Sequence, residues 1–264
     1  MHPQFIITGL IVGFLVGLSG MGSGSLMTPI LVLLLGVRPT VAVGTDLVYA
    51  TCTKAVGAIA HLRQGHVRIR PALWLSAGSV PASIAATALI GALLGKQTKV
   101  ADLFVSRGLG VTLLLAAGLM LLQPLIRRHL WPQNPPPLLQ PRLEALRRIR
   151  PALLVVVGLV VGFLVGLTSV GAGSLVMVAL LLLFPRWAMS RRVGTDVLQG
   201  CILSAAAGAA HLTLGTVSLS IVGQLLLGSI PGVLLGSRLS KLVPDVILRP
   251  AIAGVLTLAA VQLL

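Results

Sequence analysis

Gly13-Phe-Leu-Val-Gly-Leu18 occurs a second time as Gly162-Phe-Leu-Val-Gly-Leu167. Each copy leads into a knot of small residues, Ser19-Gly-Met-Gly-Ser-Gly-Ser-Leu26 in the first case and Thr168-Ser-Val-Gly-Ala-Gly-Ser-Leu175 in the second. Working outward, Val43-Gly-Thr-Asp46 returns as Val193-Gly-Thr-Asp196, and Ala60-His-Leu62 as Ala210-His-Leu212. Gly78-Ser-Val-Pro81 returns as Gly228-Ser-Ile-Pro231. The offset between copies stays at 149 to 150 residues. Two related halves in a lipid setting are the plan of many carriers.

Composition supplies the lipid setting. Hydrophobic residues make up 56% of the 264 positions and charged residues 9%, against about 25% charged in a soluble domain. Apolar runs of about 20 residues, long enough to cross a bilayer, recur along the chain. Met1-His-Pro-Gln4 carries no basic n-region, so the first apolar run reads as a span and not as a cleavable leader. Cys52 and Cys201 both lie in apolar runs. They offer neither a disulfide framework nor metal-ligand spacing, and are expected as small core residues. The net charge of +15 would suggest nucleic acid in a soluble protein. Its distribution says otherwise.

Apolar segments fall at about 5–20, 25–36, 41–62, 72–94, 103–123, 151–168, 174–185, 191–212, 219–237 and 246–264. With the proline-rich stretch 124–150 in the cytoplasm, fifteen basic residues fall inside and only Arg38, Lys96, Lys99 and Arg107 outside. Lys54 lies within a span. That is a strong positive-inside bias, so the basic excess predicts orientation. Five segments per half is an odd number, so the second half must enter from the opposite side. The expected architecture is an all-α polytopic membrane protein, an inverted repeat of two five-segment halves with discontinuous helices meeting near the midplane. Residues 1–123 and 151–264 form the repeats, and both termini face outward. The linker 124–150 is expected on the anionic inner leaflet, with a short basic helix over Pro141–Arg150; binding a protein partner is the alternative.

Segments 5–20 and 25–36 are short. Sixteen residues reach about 24 Å and twelve about 18 Å, against a hydrocarbon core of about 30 Å. The knots are therefore expected inside the bilayer, where irregular backbone survives only against protein or water.

These features single out candidate residues. In the knots, Gly20, Gly22 and Gly24 free the backbone, while Ser19, Ser23 and Ser25 offer hydroxyls; Ser169, Gly171, Gly173 and Ser174 match them in the second half. A helix starting at such a knot presents unsatisfied N–H groups to an anion. Close helix packing by small residues is the competing use. Asp46 and Asp196 are two of only five acidic residues, at equivalent places inside spans; gating or proton coupling and helix capping are both open. Lys54 predicts recognition of anionic charge, with an internal ion pair to Asp46 as the rival. His61 and His211 end equivalent spans and could relay protons or bond helix-terminal carbonyls. Pro81 and Pro231 are expected to kink their helices. Tyr49, Thr51 and Thr53 are polar enough to face a cavity.

No nucleophile with a base, no zinc spacing and no phosphate loop is present, so no enzyme, catalytic residue, metal or cofactor is expected. An aspartyl dyad of Asp46 and Asp196 is disfavoured because inversion puts them at opposite depths.

The whole chain resembles the sulfite exporter TauE/SafE family, also described as toluene-sulfonate uptake permeases. The likeness is carried by Gly17-Leu-Ser-Gly-Met-Gly-Ser-Gly-Ser25 with Pro29, by Val43-Gly-Thr-Asp46 and by His61-Leu-Arg-Gln-Gly65. The second half departs from it, with Val178 in the place of Pro29 and Ser204 in that of Lys54. The resemblance implies secondary transport of a small sulfur-containing anion (sulfite, sulfoacetate or another sulfonate) across the inner membrane, with proton coupling proposed for such proteins. Spacing alone reaches only an inverted-repeat transporter for an anion. Expected partners are that anion and the lipid bilayer, with no nucleic acid and with homo-oligomerisation left open. A passive anion channel of the same fold is the alternative function.

Overall fold

The computed structural model describes residues 3–19, 26–95, 97–129, 140–239 and 245–264. Its described elements are helices: α1 Pro3–Ser19, α2 Met27–Leu33, α3 Pro39–Arg63, α4 Ile69–Leu94 and α5 Thr98–His129 in the first half. The second half holds α6 Gln140–Thr168, α7 Ala172–Leu183, α8 Met189–Thr213, α9 Leu219–Leu239 and α10 Asp245–Leu263. Each expected apolar segment becomes one helix. Five of them, in α4, α5, α6, α8 and α9, are long and apolar enough to cross a membrane. Helix α3 matches α8 in length, carrying Asp46 and His61 where α8 carries Asp196 and His211, with Lys54 in addition at its centre. The chain is a multi-pass membrane protein.

Two expectations change. Pro141–Arg150 does not form a separate basic helix, because it is continuous with the span of α6, with Pro151 inside that helix. A proline there removes one backbone donor but leaves the preceding turn helical, which the flanking Leu, Glu and Ala favour. Cys52 is exposed and Cys201 only partly buried. Position 52 shares its helix face with Val56 and Ile59, 72% and 53% exposed, so that face looks toward lipid and not into the core.

Helix α1 packs along α9, α4 along α6, α3 across α8 and α5 along α10, so every major pairing joins one half to the other. Directions follow from which residues meet. Gly9, Gly13 and Gly17 face Leu225, Ser229 and Val233 in ascending order, so α1 and α9 run parallel. Gly158, Gly162 and Gly166 face Leu75, Ser79 and Ser83 in the same sense, so α4 and α6 are parallel too. Helix α3 meets α8 in descending order, Val48 against Gly208, Lys54 against Gly200 and His61 against Gly194. The equivalent helices α3 and α8 therefore run in opposite directions, as α5 and α10 do, with Ser106 meeting Leu263 and Gly110 meeting Ala260.

The parallel pairs explain the repeated glycines. A Cβ at Gly13 would stand 2.6 Å from the Ser229 carbonyl oxygen, and one at Gly166 2.7 Å from that of Ser83. Backbones touch directly because lipid gives apolar helices no hydrophobic reason to associate, leaving close van der Waals contact and Cα–H···O bonds to hold them. Trp74, Leu258 and Val261 stay 47%, 69% and 67% exposed, forming the apolar surface that lipid would cover.

Candidate functional site

Helices α3 and α8 carry most candidate residues, and each is docked at its start by the loop that follows the other. At Gly44 a Cβ would stand 2.5 Å from the Thr216 carbonyl oxygen, and at Gly194 2.9 Å from that of His66. The neighbouring threonines complete the docking: the Ser218 amide donates to Thr45 Oγ1 at 3.1 Å, and the Arg68 amide to Thr195 Oγ1 at 3.1 Å. The loops turn there on Gly65 and Gly215, both with φ +68, the left-handed conformation glycine adopts without steric cost. The repeated Gly-Thr dipeptides thus bind loops, a role that sequence reasoning missed although the repeat itself marked them. The aspartate that follows in each motif is turned away from the docked loop.

Asp46 is fully buried and accepts a hydrogen bond from Thr28 Oγ1 at 2.5 Å, from the first turn of α2. Ser169, in the turn between α6 and α7, sits beside the same carboxylate. Asp46 Oδ1 has no hydrogen-bond partner among the described residues. The second-half turn thus reaches a first-half carboxylate. Asp196 lies by the first turn of α7, its Oδ2 3.6 Å from where a Cβ of Gly173 would be.

Of the two knots, the second is described. Ser169 has φ +60 and Gly171 φ +98, both left-handed, so the chain breaks between Thr168 and Ala172. Gly171 caps α7 with no side-chain hydrogen bond to the helix end, while Gly173 and Ser174 lie inside its first turn. Ser174 Oγ donates to the Gly171 carbonyl at 3.4 Å. Gly20, Gly22, Ser23, Gly24 and Ser25 lie outside the described residues, as does the side chain of Ser19.

Lys54 stands where α3 and α8 cross. Its Nζ is 3.4 Å from Ser204 Oγ, and a Cβ at Gly200 would lie 3.2 Å from the same nitrogen. Ser204 is the residue equivalent to Lys54, so this lysine meets its own counterpart across the crossing. Lys54 feels both Asp196 and Asp46 electrostatically, yet no ion pair joins it to either among the described residues. Eight residues separate it from Asp46, about 12 Å along a helix.

The histidines diverge. His211 is fully buried; its Nε2 donates to the Gly166 carbonyl at 3.1 Å, and its Nδ1 is 2.8 Å from Thr216 Oγ1. His61 instead faces His66, with ring centroids 6.0 Å apart, and neither Nδ1 has a partner among the described residues. Pro81 and Pro231 lie inside α4 and α9. Thr51 and Thr53 bond back to carbonyls of their own helix.

These residues gather a cation, two carboxylates and a broken helix between two halves. Comparison with known proteins identifies relatives. A protein of Bacillus subtilis (strain 168) named probable membrane transporter protein YjnA is 39% identical over 240 residues, covering 91% of each chain. A second from the same organism, probable membrane transporter protein YdhB, is 26% identical over 96% of this chain and 98% of its own. No solved structure matches. Residues 5–263 match the family described as sulfite exporter TauE/SafE, and with that extent of agreement the chain belongs to this family of membrane transporters.

Proposed function

We propose that the chain is a secondary carrier of a small sulfur-containing oxyanion, moving it across the inner membrane by alternating access about Lys54. The observation that carries this reading is the cation itself. An ammonium held between α3 and α8, with a serine hydroxyl as its near neighbour and no ion-pair partner among the described residues, is costly in lipid. An anion arriving there relieves that cost. The α7 amino end, opening at Ser169 and Gly171, supplies further donors close to Asp46.

Opposite directions of α3 and α8 support a two-fold axis in the membrane plane, and the docked loops at either end are natural gates. Opening one face would release Thr45 from Ser218; opening the other would release Thr195 from Arg68. Asp46 and Asp196 stand directly behind these contacts, where a proton taken up could couple to the gate.

Flux of labelled sulfite, sulfoacetate and other sulfonates into proteoliposomes tests the reading. Lys54→Ala is expected to abolish saturable uptake; intact affinity and rate in that variant would remove Lys54 from the site. Asp46→Asn and Asp196→Asn are expected to flatten the pH dependence of uptake, and unchanged profiles in both would make the carboxylates structural.

A further inference from the structure

Three residues after each carboxylate, on the same helix face by the i, i+3 rule, stands a fully buried polar side chain: Tyr49 in α3 and Gln199 in α8. They are equivalent positions, 150 residues apart. Each reaches toward the serine that precedes the interior proline in the fourth helix of the other half. Gln199 Nε2 donates to Ser79 Oγ at 3.0 Å. The Tyr49 hydroxyl lies beside Ser229 without closing a well-directed bond to it.

Neither group is satisfied. The Tyr49 hydroxyl and Gln199 Oε1 have no hydrogen-bond partner among the described residues, and neither do Asp46 Oδ1 and Ser169 Oγ. Polar glue between helices accounts for the Gln199–Ser79 bond. It does not account for two free polar atoms at symmetry-related places, since buried polar groups in native proteins are almost always paired. A ligand present for part of a cycle supplies the missing partner.

Their placement assigns them different moments in that cycle. Lys54 and Ser204 mark the crossing of two antiparallel helices. Tyr49 is five residues from Lys54 and Gln199 five from Ser204, each about 7.5 Å along its helix, on opposite sides of the crossing. A small anion held at Lys54 therefore meets one of them or the other. By the distribution of basic residues, Tyr49 lies toward the outer face and Gln199 toward the cytoplasm.

We propose that Tyr49 and Gln199 are side-specific substrate contacts that read the end of the anion opposite its charge, Tyr49 in the outward-open state and Gln199 in the inward-open state. The site then takes a small anion with an oxygen function at that end in preference to one with an alkyl end. This rests on the Lys54-centred carrier reading above.

Right-side-out and inside-out vesicles test it, with 2-hydroxyethanesulfonate and ethanesulfonate as probes alongside sulfite. Wild type should prefer the hydroxylated sulfonate from both faces. Tyr49→Phe, which keeps the ring and its packing, should raise KM for it about tenfold from the outer face, with the inner-face value within about twofold. Gln199→Leu should do the reverse, and Gln199→Met, which keeps the length of the side chain without adding a charge, guards against loss of fold. Each variant should lose the preference only from its own face. The same pattern with the faces exchanged supports the pairing and reverses the orientation. Equal changes from both faces, or none, in variants that unfold at the wild-type temperature would overturn the proposal while leaving the carrier intact. Wild-type vesicles that move neither sulfonates nor sulfite would end the carrier reading, and this one with it.

Discussion

The two ends of the α3–α8 pair are built from equivalent residues and finished differently. At the end where α8 closes, His211 is held from both ring nitrogens, by Gly166 and by Thr216. At the end where α3 closes, the place of Thr216 is taken by His66, and His61 and His66 face each other with Nδ1 atoms that have no partner among the described residues. The same contrast runs through the interior. Asp46 receives a hydrogen bond from Thr28, whereas the residue equivalent to Thr28 in the second half is Met177, which has no hydroxyl to donate. Lys54 carries charge where Ser204 does not. The repeat therefore sets the scaffold, and single replacements leave one end of the α3–α8 pair more fully hydrogen-bonded than the other. For the carrier proposed above, that inequality would supply a bias between its two states, which two faces of identical energy lack.

The comparison can be broken first at the cation. Because Lys54 and Ser204 touch across the crossing, moving the charge by Lys54→Ser with Ser204→Lys should restore anion binding that Lys54→Ser alone loses by about 30-fold or more. Isothermal titration with sulfite reads both; a dead double variant would mean that the charge must come from α3. The next largest effect belongs to the anchored histidine. His211→Ala removes two buried side-chain hydrogen bonds and strips the Gly166 carbonyl of its imidazole donor, while Thr216 Oγ1 keeps its bond to the carbonyl of residue 211. The loss is about 2–3 kcal/mol. His61→Ala, with fewer bonds to lose, should cost under about 1 kcal/mol. Thermal unfolding in detergent distinguishes them, and equal losses would erase the asymmetry. The smallest effect sharpens the contrast. Thr28→Val should cost about 1 kcal/mol by stripping Asp46 of its donor, and Met177→Thr should recover part of that in the other half. The same melts measure it, and stabilisation by Thr28→Val would show the hydroxyl to be dispensable.

Much of the site was legible before any coordinates. The repeat pointed to Asp46 with Asp196 and His61 with His211 as pairs, and the isolated charge of Lys54 marked it as exceptional. Less legible was the use of each glycine. Gly9, Gly13 and Gly17, like Gly228, Gly232 and Gly236, fall four residues apart, a spacing that signals close helix contact in lipid. The motif at Gly13 was read mainly as the approach to a knot, because its packing partner on α9 lies more than 200 residues away. Tyr49 and Gln199 were harder still. Tyrosine and glutamine do not look alike, so although the offset makes them equivalent, their shared approach to Ser229 and Ser79 is visible only in the fold.

By itself the sequence determined that this protein lives in a membrane, consists of two related halves, and divides into ten apolar segments. Those properties are written locally, in hydropathy, in turn residues and in a repeat that can be counted along the chain. Only the tertiary structure decided that α1 lies on α9 and α4 on α6, that the loop after each central helix docks on the Gly-Thr of the other, and that Lys54 meets its own counterpart. Such contacts join residues about 80 to 220 positions apart. They depend on which surfaces fit once the helices stand side by side, and no stretch of chain contains that information alone.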